Sequence, residues 1–192
     1  MEEPQVLLLT ELGEIVLELF PRQAPRTVAN FLHYVDQGRY RGASFYRVVR
    51  ADNQAHSPVK IEVIQGGLGM GEHPAKLPPI PHESTQLTGL RHREGTLSMS
   101  RLEPGTAHSE FFICLEESPE LDHGGRRNPD GQGFAAFGRV VRGLEVARAI
   151  QQRPAGGQTP PVQGQMLLEP VRILEVWRIS EESDEPLGAK PT

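Results

Sequence analysis

Glycine and proline interrupt this chain along its whole length, 20 and 17 of them among 192 residues, rather than in one block. Helix interiors tolerate neither residue well, so the pattern favours many short strands joined by turns over a helical bundle. The clearest strands are Phe45-Tyr46-Arg47-Val48-Val49 and, after an interruption, Ile61-Glu62-Val63-Ile64-Gln65, which a glycine pair at 66–67 ends. Val, Ile, Phe and Tyr dominate both. An arginine sits inside the first apolar run and a glutamine inside the second, and strand interiors seldom hold such side chains unless the face they point to is wet or functional.

The rest of the chain fits this frame. Val6–Thr10 and Glu14–Phe20 read as a hairpin around Gly13. Residues Ala24–Gln37 read as a helix, with Pro25 in its first turn, Val28, Phe31, Leu32 and Val35 on one face, and Gly38 as its end. Ser44–Val49 is the third strand, the polar segment 50–60 a loop, and Ile61–Gly67 the fourth strand. A long irregular stretch, 67–93, follows, and such loops often carry function. Further strands are expected at Thr96–Ser100, Glu110–Leu115 and Phe134–Val141, and a short helix at Leu144–Gln151. The last strand, Leu167–Ile179, is expected to break at Pro170. The acidic segment 181–192 reads as a disordered tail after a single domain over residues 5–180. About eight strands, two helices and one core describe an all-β-dominated chain, a closed antiparallel barrel that also disposes of sheet edges. The spacing alone describes a sandwich equally well.

Composition and motifs exclude several classes. The net charge is −5 and no Lys/Arg cluster stands out, which argues against nucleic acid. No apolar run approaches the ~20 residues of a membrane span. The single cysteine, Cys114, rules out an internal disulfide and a CxxC motif, and its apolar surroundings read as a buried thiol. The seven histidines show no HExxH or paired arrangement, so no metal is expected. The glycine-rich 67–71 segment is followed by Pro74 and Pro78 where a phosphate-binding helix would begin. No cofactor is expected. Met1-Glu2-Glu3-Pro4 lacks the basic and apolar regions of a signal peptide, so the cytoplasm is the expected compartment, with the periplasm the alternative for a chain whose leader has been removed.

Six strings in order resemble the cyclophilins, the peptidyl-prolyl cis-trans isomerases, in a divergent, bacterial-like form. They are Gly13–Phe20 with Ala24–Phe31, Phe45–Val49, Ile64–Gly67, Leu97–Ser100, Ser109–Ile113, and Phe137–Val140 with Gly143–Val146. The resemblance implies an eight-stranded barrel capped by two α-helices. It implies that Arg47 is the catalytic arginine and that Gln65 holds both the substrate backbone and that arginine. Val63, Phe112 and Leu121 fall on the apolar positions of a proline pocket. Ser100 and Arg101 fall where backbone pairs with substrate. Departures accompany these matches. The spacing from Arg47 to Gln65 is longer than the family's, which marks 50–60 as an inserted loop. Glu62 stands at the place of a pocket phenylalanine, Glu110 replaces a glutamine, Glu120 a frequent tryptophan, and Phe134 a pocket histidine. Phe134 is expected to refill volume that Glu62 vacates.

The resemblance implies an isomerase, expected to be monomeric, that acts on X–Pro bonds in peptides and in unfolded or partly folded proteins. The altered positions leave a second reading open, a proline-peptide binding module with weak or no turnover. A third is a fold reused for unrelated binding.

Overall fold

A computed structural model describes residues 3–187. Among these residues are nine strands: β1 (Gln5–Thr10), β2 (Gly13–Leu19), β3 (Ser44–Val49), β4 (Val63–Gly67), β5 (Thr96–Met99), β6 (Phe111–Cys114), β7 (Ala135–Arg142), β8 (Ala155–Gly156) and β9 (Met166–Ile179). Eight of them pair in the ring β1-β2-β7-β5-β6-β4-β3-β9, and β9 returns to β1, so the sheet closes. Every pairing is antiparallel. The barrel rather than the sandwich is therefore correct. Two-residue β8 hangs on β9 outside the ring.

Among the described residues three α-helices accompany the barrel: α1 (Pro25–Asp36), one-turn α2 (Thr85–Thr88) and α3 (Leu144–Gln151). Proline at its start suits α1, since the first N–H groups have no helical partner. Distant Glu83 supplies an acceptor there: its Oε1 takes 2.7 Å hydrogen bonds from the Thr27 amide and hydroxyl. Gly38, at φ +65°, turns the chain out of the helix, a conformation that side chains with a Cβ adopt at a cost. The apolar face of α1 packs into the barrel core, where Phe31 meets Phe111 edge-on at 5.6 Å and Phe137 at 5.3 Å. From α3, Ala147 and Ile150 join the same core.

Strand β9 runs on through Pro170, where a break was expected. Its register explains this. Met166 faces Arg47 and Val171 faces Phe45, so residues 167–170 lie in an irregular stretch opposite one residue of β3, where a missing N–H leaves no ladder bond unmade. Of the segment expected to be a tail, residues 181–187 fold back on β9. Leu187 donates its amide to the Arg178 carbonyl, the Trp177 indole donates to the Asp184 carbonyl, and Asp184 pairs with Arg142 at 2.7 Å. The remainder, 188–192, lies outside the described residues. No helix among the described residues is long and apolar enough to cross a membrane.

Candidate active site

One row of side chains crosses the barrel wall. The pairing register aligns Arg47 on β3 with Gln65 on β4, Gln65 with Phe112 on β6, and Phe112 with Ser98 on β5. Paired residues share a face of the sheet, and that face is the outside: Phe45, Val48, Ile64, Phe111 and Ile113 fill the interior, while Val49, Val63, Phe112, Cys114 and Leu121 form a second, smaller apolar cluster. Alternation alone would put Arg47 on the same side as Phe45. A β-bulge prevents it. The register shifts between Phe45 and Arg47, making Tyr46 an extra residue, so that both Tyr46 and Arg47 serve the outer site.

The Arg47 guanidinium is half-buried and held on two sides. Its Nη1 donates to Gln65 Oε1 at 2.9 Å, and its Nε and Nη2 donate to Gln165 Oε1 at 3.0 and 2.8 Å. Gln165 is fixed in turn by donating to the Asn53 carbonyl in the inserted loop. Gln65 donates to the Tyr46 hydroxyl, which donates to Glu110 Oε1 at 2.7 Å. The Glu110 carboxylate also accepts from the Leu68 and Gly69 amides and from the Ser109 hydroxyl. A buried carboxylate with four donors is a satisfied one, and here it ties the outer row to the loop after β4. Gly67 is required at that point, because a Cβ would sit 2.6 Å from the Glu110 carboxylate. Burial, with Glu110 alongside, pushes the Tyr46 phenol up, so it stays a neutral donor. Burial, with the Arg127 charge nearby, lowers Arg47 to about 10, still cationic at neutral pH.

Beside this guanidinium lies a hollow of about 90 Å³, lined by Arg47, Ile61, Val63, Gln65, Ser100, Phe112, Leu121, Arg127 and Phe134. At ~30 Å³ per water, that is the scale of one small ring. Its back wall is a pile of flat groups. The His92 ring stacks on Phe112 at 6.1 Å, Phe134 meets Phe112 edge-on at 5.5 Å, and the Arg101 guanidinium lies 4.9 Å over Phe134. Each outer member is anchored. Buried His92 bonds Asp122 and Ser98, both at 2.8 Å, and Arg101 holds Asp130 and the Gly133 carbonyl. Along Gln65 and Ser100 the hollow adjoins a wider depression of about 200 Å³ that includes Met70, Arg101, Leu102 and His108.

Seven of the expected site residues thus line the hollow together: Arg47, Gln65, Val63, Ser100, Phe112, Leu121 and Phe134. Arg101 stands behind Phe134 with its side chain buried, and the residue borders the adjoining depression. Glu62 requires correction. It points away from the hollow, toward Glu116, whose pKa is raised by burial and by the Glu62 carboxylate. Ile61, just before β4, packs in the same small apolar cluster as Val63 and takes the apolar place with Phe134. Tyr46, Arg127 and Gln165 also belong to the site and were not expected there, and Glu110, expected only as a departure from the family's glutamine, joins them. Cys114 is buried as read, and burial raises its thiol well above the usual range.

The model of the cyclophilin type peptidyl-prolyl cis-trans isomerase/CLD family matches residues 5–176. The chain is 39% identical over 150 residues to peptidyl-prolyl cis-trans isomerase A of Dickeya dadantii, covering 77% of this chain and 70% of that one. It is 36% identical over 174 residues to peptidyl-prolyl cis-trans isomerase cyp18 of Streptomyces antibioticus, covering 88% and 98%. In fold it is similar to a Cryptosporidium parvum cyclophilin type peptidyl-prolyl cis-trans isomerase, solved in the presence of the dipeptide Ala-Pro, with a TM-score of 0.70 at 23% identity over 92% of this chain and 99% of that one. Closed barrel, ordered strings and these relatives agree: the chain belongs to the cyclophilin-type peptidyl-prolyl cis-trans isomerases.

Proposed function

We propose that the hollow takes the proline ring of an X–Pro bond and that Arg47 accelerates rotation about that bond. The planar amide resists rotation because resonance gives its C–N bond double-bond character, with a barrier of ~18–20 kcal/mol. In the twisted state the resonance is lost and the nitrogen regains a lone pair. A fixed donor aimed there binds the twisted state better than the planar one, which is the condition for catalysis. Arginine suits the task, being charged, rigid at its head and a donor only. One charge-assisted hydrogen bond contributes roughly 1.5–3 kcal/mol, about 10- to 150-fold in rate. The apolar wall of Val63, Phe112, Leu121 and Phe134 grips the ring while the preceding carbonyl swings, and Gln65 is placed to hold both Arg47 and substrate backbone.

The observation that carries this reading is the guanidinium held by two neutral glutamines at the edge of a small apolar hollow. The substrates proposed are proline-containing peptides and unfolded or partly folded chains. A protease-coupled assay on an Ala-Pro tetrapeptide tests it. Catalytic amounts of the protein are expected to speed the slow cis phase. Saturable binding with no acceleration would leave a binding module instead.

A further inference from the structure

Two loops beside the site, the inserted 50–60 loop and the loop before β7, meet at one side chain. Arg127, in the loop before β7, donates through Nη1 to Gln54 Oε1 at 2.8 Å, Ser57 Oγ at 2.9 Å and the Val59 carbonyl at 2.6 Å, all within the 50–60 loop. Gln54 is itself buried and clamps the two ends of that loop, donating to the Arg50 and Ile61 carbonyls and accepting from the Ile61 amide. Arg127 is therefore a fixed part of the wall of the hollow, facing the same space as Arg47.

The consequence is electrostatic. Every hydrogen-bond partner of the Arg47 and Arg127 side chains is neutral. Among the described residues, no ion pair includes either arginine. The acids closest to Arg127 in sequence are occupied elsewhere: Glu120 by Arg126, Asp130 by Arg101, Asp122 by His92. The Nε and Nη2 groups of Arg127 donate to no protein group among the described residues, which leaves part of its donor fork for a ligand. The hollow thus presents two half-buried cations and, among the described residues that line it, no acid, in a chain of net charge −5. Burial lowers both guanidinium groups, so each charge is held at a cost that a carboxylate from outside would relieve.

We propose that Arg127 is a specificity-determining residue that selects substrates carrying an Asp or Glu side chain next to the proline. This rests on the reading of the hollow as the prolyl site. Exchange NMR on short peptides tests it, with Glu or its neutral isostere Gln placed immediately before or immediately after the proline. At one of the two positions the Glu peptide is expected to show about tenfold higher kcat/KM than the Gln peptide. That ratio is expected to persist in Arg127→Lys and to fall toward one in Arg127→Gln. Salt probes the same charge without touching the fold: near 1 M, where the screening length is ~3 Å, the wild-type ratio should shrink. A ratio of one in the wild type, with the Gln peptides still isomerised, would overturn the proposal. So would a preference for Glu that survives both Arg127→Gln and high salt. Absence of acceleration for every peptide would be a different failure, removing the prolyl reading itself.

Discussion

The two faces of one barrel wall do different work. On β6, Phe111 and Phe112 are neighbours in sequence and point opposite ways. Phe111 is ringed by Phe31, Tyr40 and Phe45 at centroid distances of 5.6 to 5.8 Å, inside a solid core. Phe112 has His92 and Phe134 as ring partners and a hollow on its remaining side. The inward face has every neighbour supplied by the protein. The outward face has one neighbour missing, and the site is the place where it is missing. Stability and activity should therefore separate along the strand alternation, and substitutions can push on that division.

The largest effect is expected inside. Phe111→Ala should cost about 3–5 kcal/mol in chemical denaturation, as large-to-small core changes do. Phe112→Ala should cost about 1–2 kcal/mol, within the range of ordinary substitutions, yet lose most turnover because the ring grip is gone. Equal stability losses would erase the division between the faces. Smaller is the effect of Gln165→Leu, which removes two of the three hydrogen bonds that Arg47 makes. About a tenfold fall in kcat is expected, with KM within about twofold and stability within ~1 kcal/mol. An unchanged kcat would mean that Gln65 alone aims the guanidinium and the inserted loop contributes nothing through Asn53. The smallest effect is that of pH. Arg47 is lowered to about 10 by burial and by Arg127, and the proposed catalyst is its protonated form. Activity depends on a proton that is present below that value and lost above it. The pH–rate profile should be level from about pH 6 to 8.5 and decline only as pH nears 10. A step near neutrality would place a different group in the rate.

Much of the barrel was legible because its signals are local. Short apolar runs closed by Gly or Pro located all eight ring strands within two residues, and α3 was placed at its observed bounds, 144–151. What was too short to show a period, α2 and β8, was not visible. Pro170 misled, because whether a proline breaks a strand depends on whether the partner needs its N–H, and that is a property of register. At the site, Arg47 and Gln65 stood out as polar residues in apolar strands. Glu62 stands at the pocket position only through the family resemblance, whereas the alternation from Val63 points to Ile61. Gln165 could not be read at all. It lies 118 residues from Arg47, and only closure of the barrel brings them together. Arg127 depends likewise on two separate loops meeting.

The most direct measurement separates binding from rotation in Arg47→Ala. Titration of an Ala-Pro peptide gives Kd, and exchange NMR on the same sample gives the cis–trans rate. If Arg47 acts on the twisted amide, Kd should stay within about twofold while the rate falls by about 100-fold. A full rate in that variant, or a loss that appears entirely in Kd, would contradict the account.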